Sequence, residues 1–245
     1  MNYLLLAFSF LTILPVRLKQ APAQGDLGRA AVWYPLIGLL IGGLSALAGW
    51  GLRQVLPSLL AAVLTTAIWI VLSGGLHLDG LADCCDGLLN ASRPERRLEI
   101  MKDPRLGTFG GIGLILAIGL KIAAIQALPT SSLLAALPLA AALGRWLLLP
   151  AGKQPLARPD GLGADYASGL RPAIFFGAAV PLILLTVLGG WKALIAVGVC
   201  HLSAWGIFRL AKNRLGGVTG DVFGLTVEVA EILTLLVFVY NSVNR

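Results

Sequence analysis

Three aspartates in the stretch His77-Leu-Asp-Gly-Leu-Ala-Asp-Cys-Cys-Asp-Gly87, at positions 79, 83 and 86, are the residues of this chain best spaced for chemistry. At 3.6 residues per turn, offsets of four and seven put their carboxylates within an arc of about 60° on one helix face. Like charges so placed repel and raise each other's pKa until a cation joins them. A set of hard oxygens of this kind suits Mg²⁺. Asp79, Asp83 and Asp86 are therefore read as ligands of a Mg²⁺ ion that holds a substrate pyrophosphate. The plainer alternative is a solvated acidic stripe at a helix start, but the stretch abuts an apolar run, where uncompensated charge is expensive. His77 lies about 200° from Asp79 on the same wheel and reads as an interfacial or capping residue.

A second acidic set follows in Gly-Asp221-Val-Phe-Gly-Leu-Thr-Val-Glu228-Val-Ala-Glu231. Glu228 nearly eclipses Asp221, and Glu231 is about 80° further round. In a helix starting near Asp221, Glu228 lies about 10 Å deep. Carboxylates there need a metal, an Arg or Lys from another helix, or protonation. All three join the candidate metal ligands.

Basic residues supply the complement. The segment from Ser92 to Gly107 mixes charges with Leu98, Ile100, Met101 and Leu106, as an interfacial helix does, with Ser92 as N-cap and Pro94 near the first turn. Arg93, Lys102 and Arg105 are candidates for substrate phosphates, with lipid headgroups as the other reading. The turn-rich Asp103-Pro-Arg-Leu-Gly-Thr favours phosphate for Lys102 and Arg105. Arg145 follows a long apolar run and either snorkels to the surface or reaches a buried carboxylate; it is counted among the candidate substrate-binding residues. Glycines 216, 217 and 220 allow close approach of amides to phosphate but match neither a P-loop nor GxGxxG.

The elements that position these groups belong to a membrane. Of 245 residues, 57% are hydrophobic and 13% charged, against about a quarter charged in a soluble domain. Apolar runs recur at 33–50, 57–76, 107–128, 133–150, 173–190, 193–208 and 222–240, each close to the ~20 residues that cross a bilayer as a helix. Backbone amides in lipid need internal partners, and the alternation of a barrel is absent, so the spans are helices. The expectation is an all-α, polytopic bundle of about seven spans, one catalytic domain over 1–245. The run 1–15 lacks a basic leader and a cleavage pattern, so it is expected to be retained, as a first helix of unassigned depth.

Fourteen of the nineteen Lys and Arg lie in the long loops 17–32, 77–106, 151–172 and 209–221, whereas Arg53, Lys192 and Arg245 lie on the other side. The positive-inside rule makes the long loops cytoplasmic. Ten of the twelve acids share that face, which points to chemistry at the cytoplasmic surface. An ion-coupled transporter would sooner place its ionisable groups at the midplane of a repeated fold. The net charge of +7 thus reflects orientation in lipid, with no soluble basic domain for nucleic acid. Cys84, Cys85 and Cys200 have no zinc-site or disulfide spacing and read as reduced packing residues.

At this point the motifs themselves are familiar. Gly-Leu-His77-Leu-Asp79-Gly-Leu-Ala-Asp83-Cys-Cys-Asp86-Gly, Glu99-Ile-Met-Lys102-Asp103-Pro-Arg105-Leu-Gly107-Thr108-Phe-Gly110, and Gly217-Val-Thr-Gly-Asp221 with Glu228 and Glu231, together with Phe10-Leu-Thr-Ile-Leu-Pro15 and Pro35-Leu-Ile-Gly38, closely resemble the cobalamin synthase (adenosylcobinamide-GDP ribazoletransferase) family over almost the whole chain. The resemblance implies a multi-pass enzyme of the cell inner membrane, Mg²⁺-dependent and facing the cytoplasm. It would join adenosylcobinamide-GDP to α-ribazole or its 5′-phosphate and release GMP. Asp79, Asp83 and Asp86 then map onto the family's aspartate motif and Lys102 and Arg105 onto its basic turn. Asp86 or Glu228 is the expected acceptor of the ribose hydroxyl's proton. The expected partners are these two substrates and membrane lipid; the oligomeric state, a homo-oligomer included, stays open. Two other enzyme classes share pieces of the pattern. The Asp-x-x-Asp-Gly of CDP-alcohol phosphotransferases is matched at 83–87 without its downstream aspartates, and membrane prenyltransferases carry a differently spaced second acidic motif.

Overall fold

A computed structural model describes residues 1–240; Arg245, counted above with the sparse side, lies outside them. The chain forms α1 (Tyr3–Leu11), α2 (Asp26–Ala30), a 3₁₀ turn leading into α3 (Tyr34–Leu52), α4 (Ser58–Leu72), α5 (Leu76–Leu89), α6 (Pro94–Ile100), α7 (Thr108–Ala127), α8 (Thr130–Trp146), one-turn α9 (Leu148–Ala151), α10 (Leu162–Gly169), α11 (Pro172–Leu215) and α12 (Gly220–Tyr240). The only extended pairing among the described residues is an isolated bridge between Leu156 and Val218. The all-α expectation holds.

Of the seven expected spans, five or six are evident by length and composition. Five helices are long and apolar enough to cross a membrane, or six if α4 and α5, bent by 93° at residues 73–75, are taken as one. Helix α4 has fifteen residues, too few to meet a length test alone, and the runs 173–190 and 193–208 are joined in the 44 residues of α11. That helix nevertheless folds back on itself. Trp146 packs edge-on to Phe175, with ring centroids 6.3 Å apart, and its indole N–H reaches His201 at 3.1 Å. In a straight helix, positions 26 residues apart would be about 39 Å from each other. The reversal falls at Gly190, whose φ of 65° and ψ of −153° are a backbone conformation that only glycine adopts readily.

Helix α8 runs through the middle, buried along most of its length between α3, α11 and α12. Its contact with α3 is close because Gly38 and Gly42 face it one turn apart: a Cβ on Gly42 would lie 2.3 Å from the Leu137 carbonyl oxygen. This small-xxx-small pairing lets two backbones approach where lipid gives no hydrophobic drive. Gly42→Val is expected to force the helices apart and lower stability by about 1–3 kcal/mol, read as thermal unfolding in detergent. The outward faces of α7 and α11 instead expose Ile115, Leu116, Phe176, Val187, Leu188 and Leu194. Apolar surface on that scale marks contact with lipid rather than water.

The polar loops gather at one end of the bundle. Asp165 accepts from the Gly25 N–H at 2.7 Å, Arg158 donates to the Leu98 carbonyl at 2.9 Å and Arg214 to that of Leu88 at 3.0 Å. These bonds tie the loop after α1, the α5–α6 region, the α9–α10 loop and the end of α11 into one cap. Nine-residue α1 is too short to cross; the Ile13 N–H bonds the Leu72 carbonyl at that same end. At the far end, Arg53 closes the α3–α4 turn onto the α7–α8 turn through the Leu128 carbonyl at 2.6 Å.

Candidate active site

The bend between α4 and α5 turns the aspartate helix across the mouth of the bundle, against the start of α12. Gly80 and Gly224 sit at the crossing: a Cβ on Gly80 would lie 2.8 Å from the Asp221 carbonyl oxygen. Close packing of these backbones brings Asp79 and Asp221 to one wall. Between them and the α9–α10 loop lies a cavity of about 580 Å³, lined at its polar end by His77, Asp79, Lys102, Arg158, Thr219 and Asp221. The sequence 217–221 enters because Leu156 pairs with Val218, the Ala157 N–H donating to the Val218 carbonyl at 2.9 Å and the Val218 N–H to that of Pro155 at 2.8 Å. Gly217 permits this by backing directly onto the Pro155 carbonyl.

The electrostatics of this end are dominated by carboxylates. Asp221 accepts from Thr219 at 3.1 Å and from Arg158 at 3.5 Å. Partial burial, together with the charges of Asp221, Asp79 and Asp86, pushes the Asp83 carboxyl up to about 7, with only Arg158 opposing. Helix α5 lies outside the crossing helices, so water still reaches this group. Polar groups are also left over: Arg158 Nε, His77 Nε2 and the Tyr166 hydroxyl are buried without a hydrogen-bond partner.

The six carboxylates expected to bind metal do not assemble at one point. Among the described residues no group of three or more His, Cys, Asp or Glu is arranged as a metal cluster. Sharing a helix face is not sharing a site, because Asp79 and Asp86 are about 10 Å apart along the axis. Asp86 turns the other way and caps α7, accepting from the N–H groups of Gly107 and Gly110 at 2.9 Å each. It borders a second, shallower pocket with Arg105 and Asp103. There Arg105 bonds Asp103 at 2.7 and 2.9 Å, and these bonds pull the Asp103 carboxyl down to about 2.

Glu228 and Glu231 lie apart from this end, deeper in the bundle. Both are buried among Lys121 of α7 and Arg145 of α8: Lys121 meets Glu228 at 2.7 Å and also pairs with Glu231, which Arg145 contacts in turn. Lys121 additionally lies 5.2 Å from the centre of the Trp69 ring. Two cations and two carboxylates neutralise one another, and neither glutamate lines either pocket. Arg145, with no exposed surface, pairs with Glu231 and lines neither pocket. Of the other cations, Lys102 lines the large cavity and Arg105 the shallow pocket, while Arg93 stands exposed at the start of α6 and borders neither. His77, expected as an interfacial or capping residue, is buried in the cavity wall.

Sequence reasoning passed over Arg158 and Tyr166. Arg158 stands in Arg-Pro-Asp-Gly-Leu-Gly163, as turn-rich as the segment that singled out Lys102 and Arg105, and that signal was there to use. The cysteines are free, with Cys84 and Cys200 buried, as expected.

Residues 3–239 match the CobS family, described as cobalamin-5-phosphate synthase. An adenosylcobinamide-GDP ribazoletransferase of Roseiflexus sp. (strain RS-1) is 38% identical over 98% of this chain and 90% of its own. The proteins of that name from Pseudomonas putida (strain GB-1) and Stutzerimonas stutzeri (strain A1501) are 42% and 41% identical, each over 95% of this chain and 96% of their own. No solved structure matches the chain. A family model that matches nearly the whole chain, with relatives about 40% identical over more than nine-tenths of it, shows that the chain belongs to the CobS family.

Proposed function

We infer that this protein is a multi-pass membrane enzyme performing the reaction its relatives are named for: transfer of the adenosylcobinamide phosphoryl group from adenosylcobinamide-GDP to α-ribazole or its 5′-phosphate, with release of GMP, at the end of cobalamin synthesis. The observation that carries the reading is the meeting of Asp79 and Asp221 with Lys102 and Arg158 in one cavity at the polar end of an apolar bundle. In the transfer, a ribose oxygen forms a bond to the phosphorus that bears cobinamide, and the bond from that phosphorus to the bridging oxygen of GMP breaks. Lys102 and Arg158 offset charge on the pyrophosphate, with Arg105 at the entrance of the neighbouring pocket. Asp79, exposed in the cavity wall, replaces Asp86 and Glu228 as the acceptor of the hydroxyl proton.

Asp79 and Asp221 of the cavity wall, with Asp83 one turn from Asp79, are the carboxylates that would hold Mg²⁺ together with phosphate oxygens of the substrate, since by themselves they form no three-ligand cluster. Once bound, the ion would neutralise the pyrophosphate and ease departure of GMP. The reversal at Gly190 supports two crossings within α11, which with the bent pair α4–α5 as one crossing makes seven, and the excess of Lys and Arg at the cavity end supports its facing the cytoplasm.

The test is GMP release by purified protein in lipid. Release is expected to require adenosylcobinamide-GDP, α-ribazole and Mg²⁺ together and to stop with EDTA. GMP formed equally without α-ribazole would identify a hydrolase and overturn the transfer; activity indifferent to EDTA would remove the metal.

A further inference from the structure

The cavity has a second character at its other end, where four aromatic side chains from four separated segments stand in a row. Phe10 of α1 stacks on Tyr34 at 6.0 Å, Tyr34 on Tyr166 of α10 at 5.9 Å with the rings within 12° of parallel, and Tyr166 meets the edge of Phe223 of α12 at 5.8 Å. All four line the cavity. Phe223 follows Asp221 by two residues, so the row adjoins the carboxylate end.

We propose that this aromatic end is the subsite for the base of the acceptor nucleoside, a flat and largely apolar benzimidazole, with its ribose directed toward Asp79, Asp221 and Arg158. The inference rests on the ribazoletransferase reading and adds where the acceptor sits. Its carrying argument is a match of polar groups. A benzimidazole joined to ribose through one nitrogen has a single remaining polar atom, the other ring nitrogen, which accepts one hydrogen bond. The aromatic row likewise offers a single free group. The Tyr34 hydroxyl already donates to the Leu27 carbonyl at 3.1 Å, the two phenylalanines have none, and the buried Tyr166 hydroxyl has no partner.

Guanine, the other base in the reaction, carries several donors and acceptors on its edge. Placed against this row, most of them would be left without partners, and buried unpaired polar groups are what specificity against a ligand is made of. The corrin macrocycle with its side chains is far larger than a cavity of about 580 Å³, which is of the size that encloses a small ligand. The acceptor nucleoside is the substrate component that fits both the volume and the chemistry.

The experiment measures KM for α-ribazole and for adenosylcobinamide-GDP separately, with the protein in lipid nanodiscs. Phe223→Leu keeps the bulk and removes the aromatic face; it is expected to raise KM for α-ribazole roughly tenfold. Tyr166→Phe is expected to raise it about fivefold, the loss of one hydrogen bond. Both variants should leave KM for adenosylcobinamide-GDP unchanged, which a general loss of folding would not. An acceptor with indole in place of benzimidazole lacks the ring nitrogen and should lose about the same factor with the unaltered enzyme, yet lose nothing further with Tyr166→Phe. A rise in KM for adenosylcobinamide-GDP instead, or no change in either, overturns the subsite while α-ribazole-dependent GMP release still stands. Absence of that release in the unaltered protein overturns the underlying reading as well.

Discussion

Asp83→Asn is expected to lower the rate of GMP release about a thousandfold while leaving the protein folded and no less stable. Asp83 sits among Asp79, Asp86 and Asp221 with Arg158 as its one opposing charge, so its carboxylate is held where the fold gains nothing from it. On the proposed reading its charge serves a cation that arrives with the substrate. The charge stabilisation that a bound divalent ion gives to phosphoryl transfer amounts to several kcal/mol; losing ~4 kcal/mol of it is a factor of about a thousand. The amide removes a like charge, so thermal unfolding without Mg²⁺ should come at the same or a higher temperature than in the parent. Mg²⁺ should raise the unfolding temperature of the parent and fail to do so in the variant. Full activity in Asp83→Asn, or an unaltered response to Mg²⁺, would remove this residue from the metal site.

Glu231→Gln is expected to act in the opposite way, on the fold first. The quartet Lys121, Arg145, Glu228 and Glu231 joins α7, α8 and α12 in the bundle interior, with Trp69 of α4 against the ammonium. Removing one carboxylate leaves two cations facing one anion out of reach of water. Breaking a buried pair from one side costs about 3–5 kcal/mol. Pairing the change with Lys121→Met restores the balance at one cation and one anion, and most of the lost stability should return. Unfolding temperatures of the single and double variants in the same detergent decide it. A single variant as stable as the parent would mean that the quartet does not hold the bundle.

The two acidic motifs looked alike in the sequence and came apart in the fold for a physical reason. Angular position on a helix is fixed by spacing, so Asp79, Asp83 and Asp86 could be placed on one face and Glu228 over Asp221 from the residues alone. Which neighbour fills the space opposite each turn is a property of other segments. Asp86 meets the start of α7, 21 and 24 residues later in the chain, and Glu231 meets Arg145 from 86 residues away. The reading of a carboxylate two turns down α12 named an Arg or Lys from another helix among its possible partners, and Lys121 and Arg145 took that place.

Composition and the length of the apolar runs determined that this chain is an all-helical membrane protein, because hydrocarbon thickness and the need to pair every backbone amide leave few other solutions. The motifs by themselves carried the family and its chemistry. What only the tertiary structure decided was which charged groups share water and which neutralise one another, since a carboxylate's role depends on distances set by helix crossings. The bend at 73–75, the reversal at Gly190 and the close approach at Gly80 bring Asp79, Asp221, Arg158 and the aromatic row around one cavity. The wall of that cavity draws on residues from Phe10 to Gly224, and local spacing holds no record of their meeting.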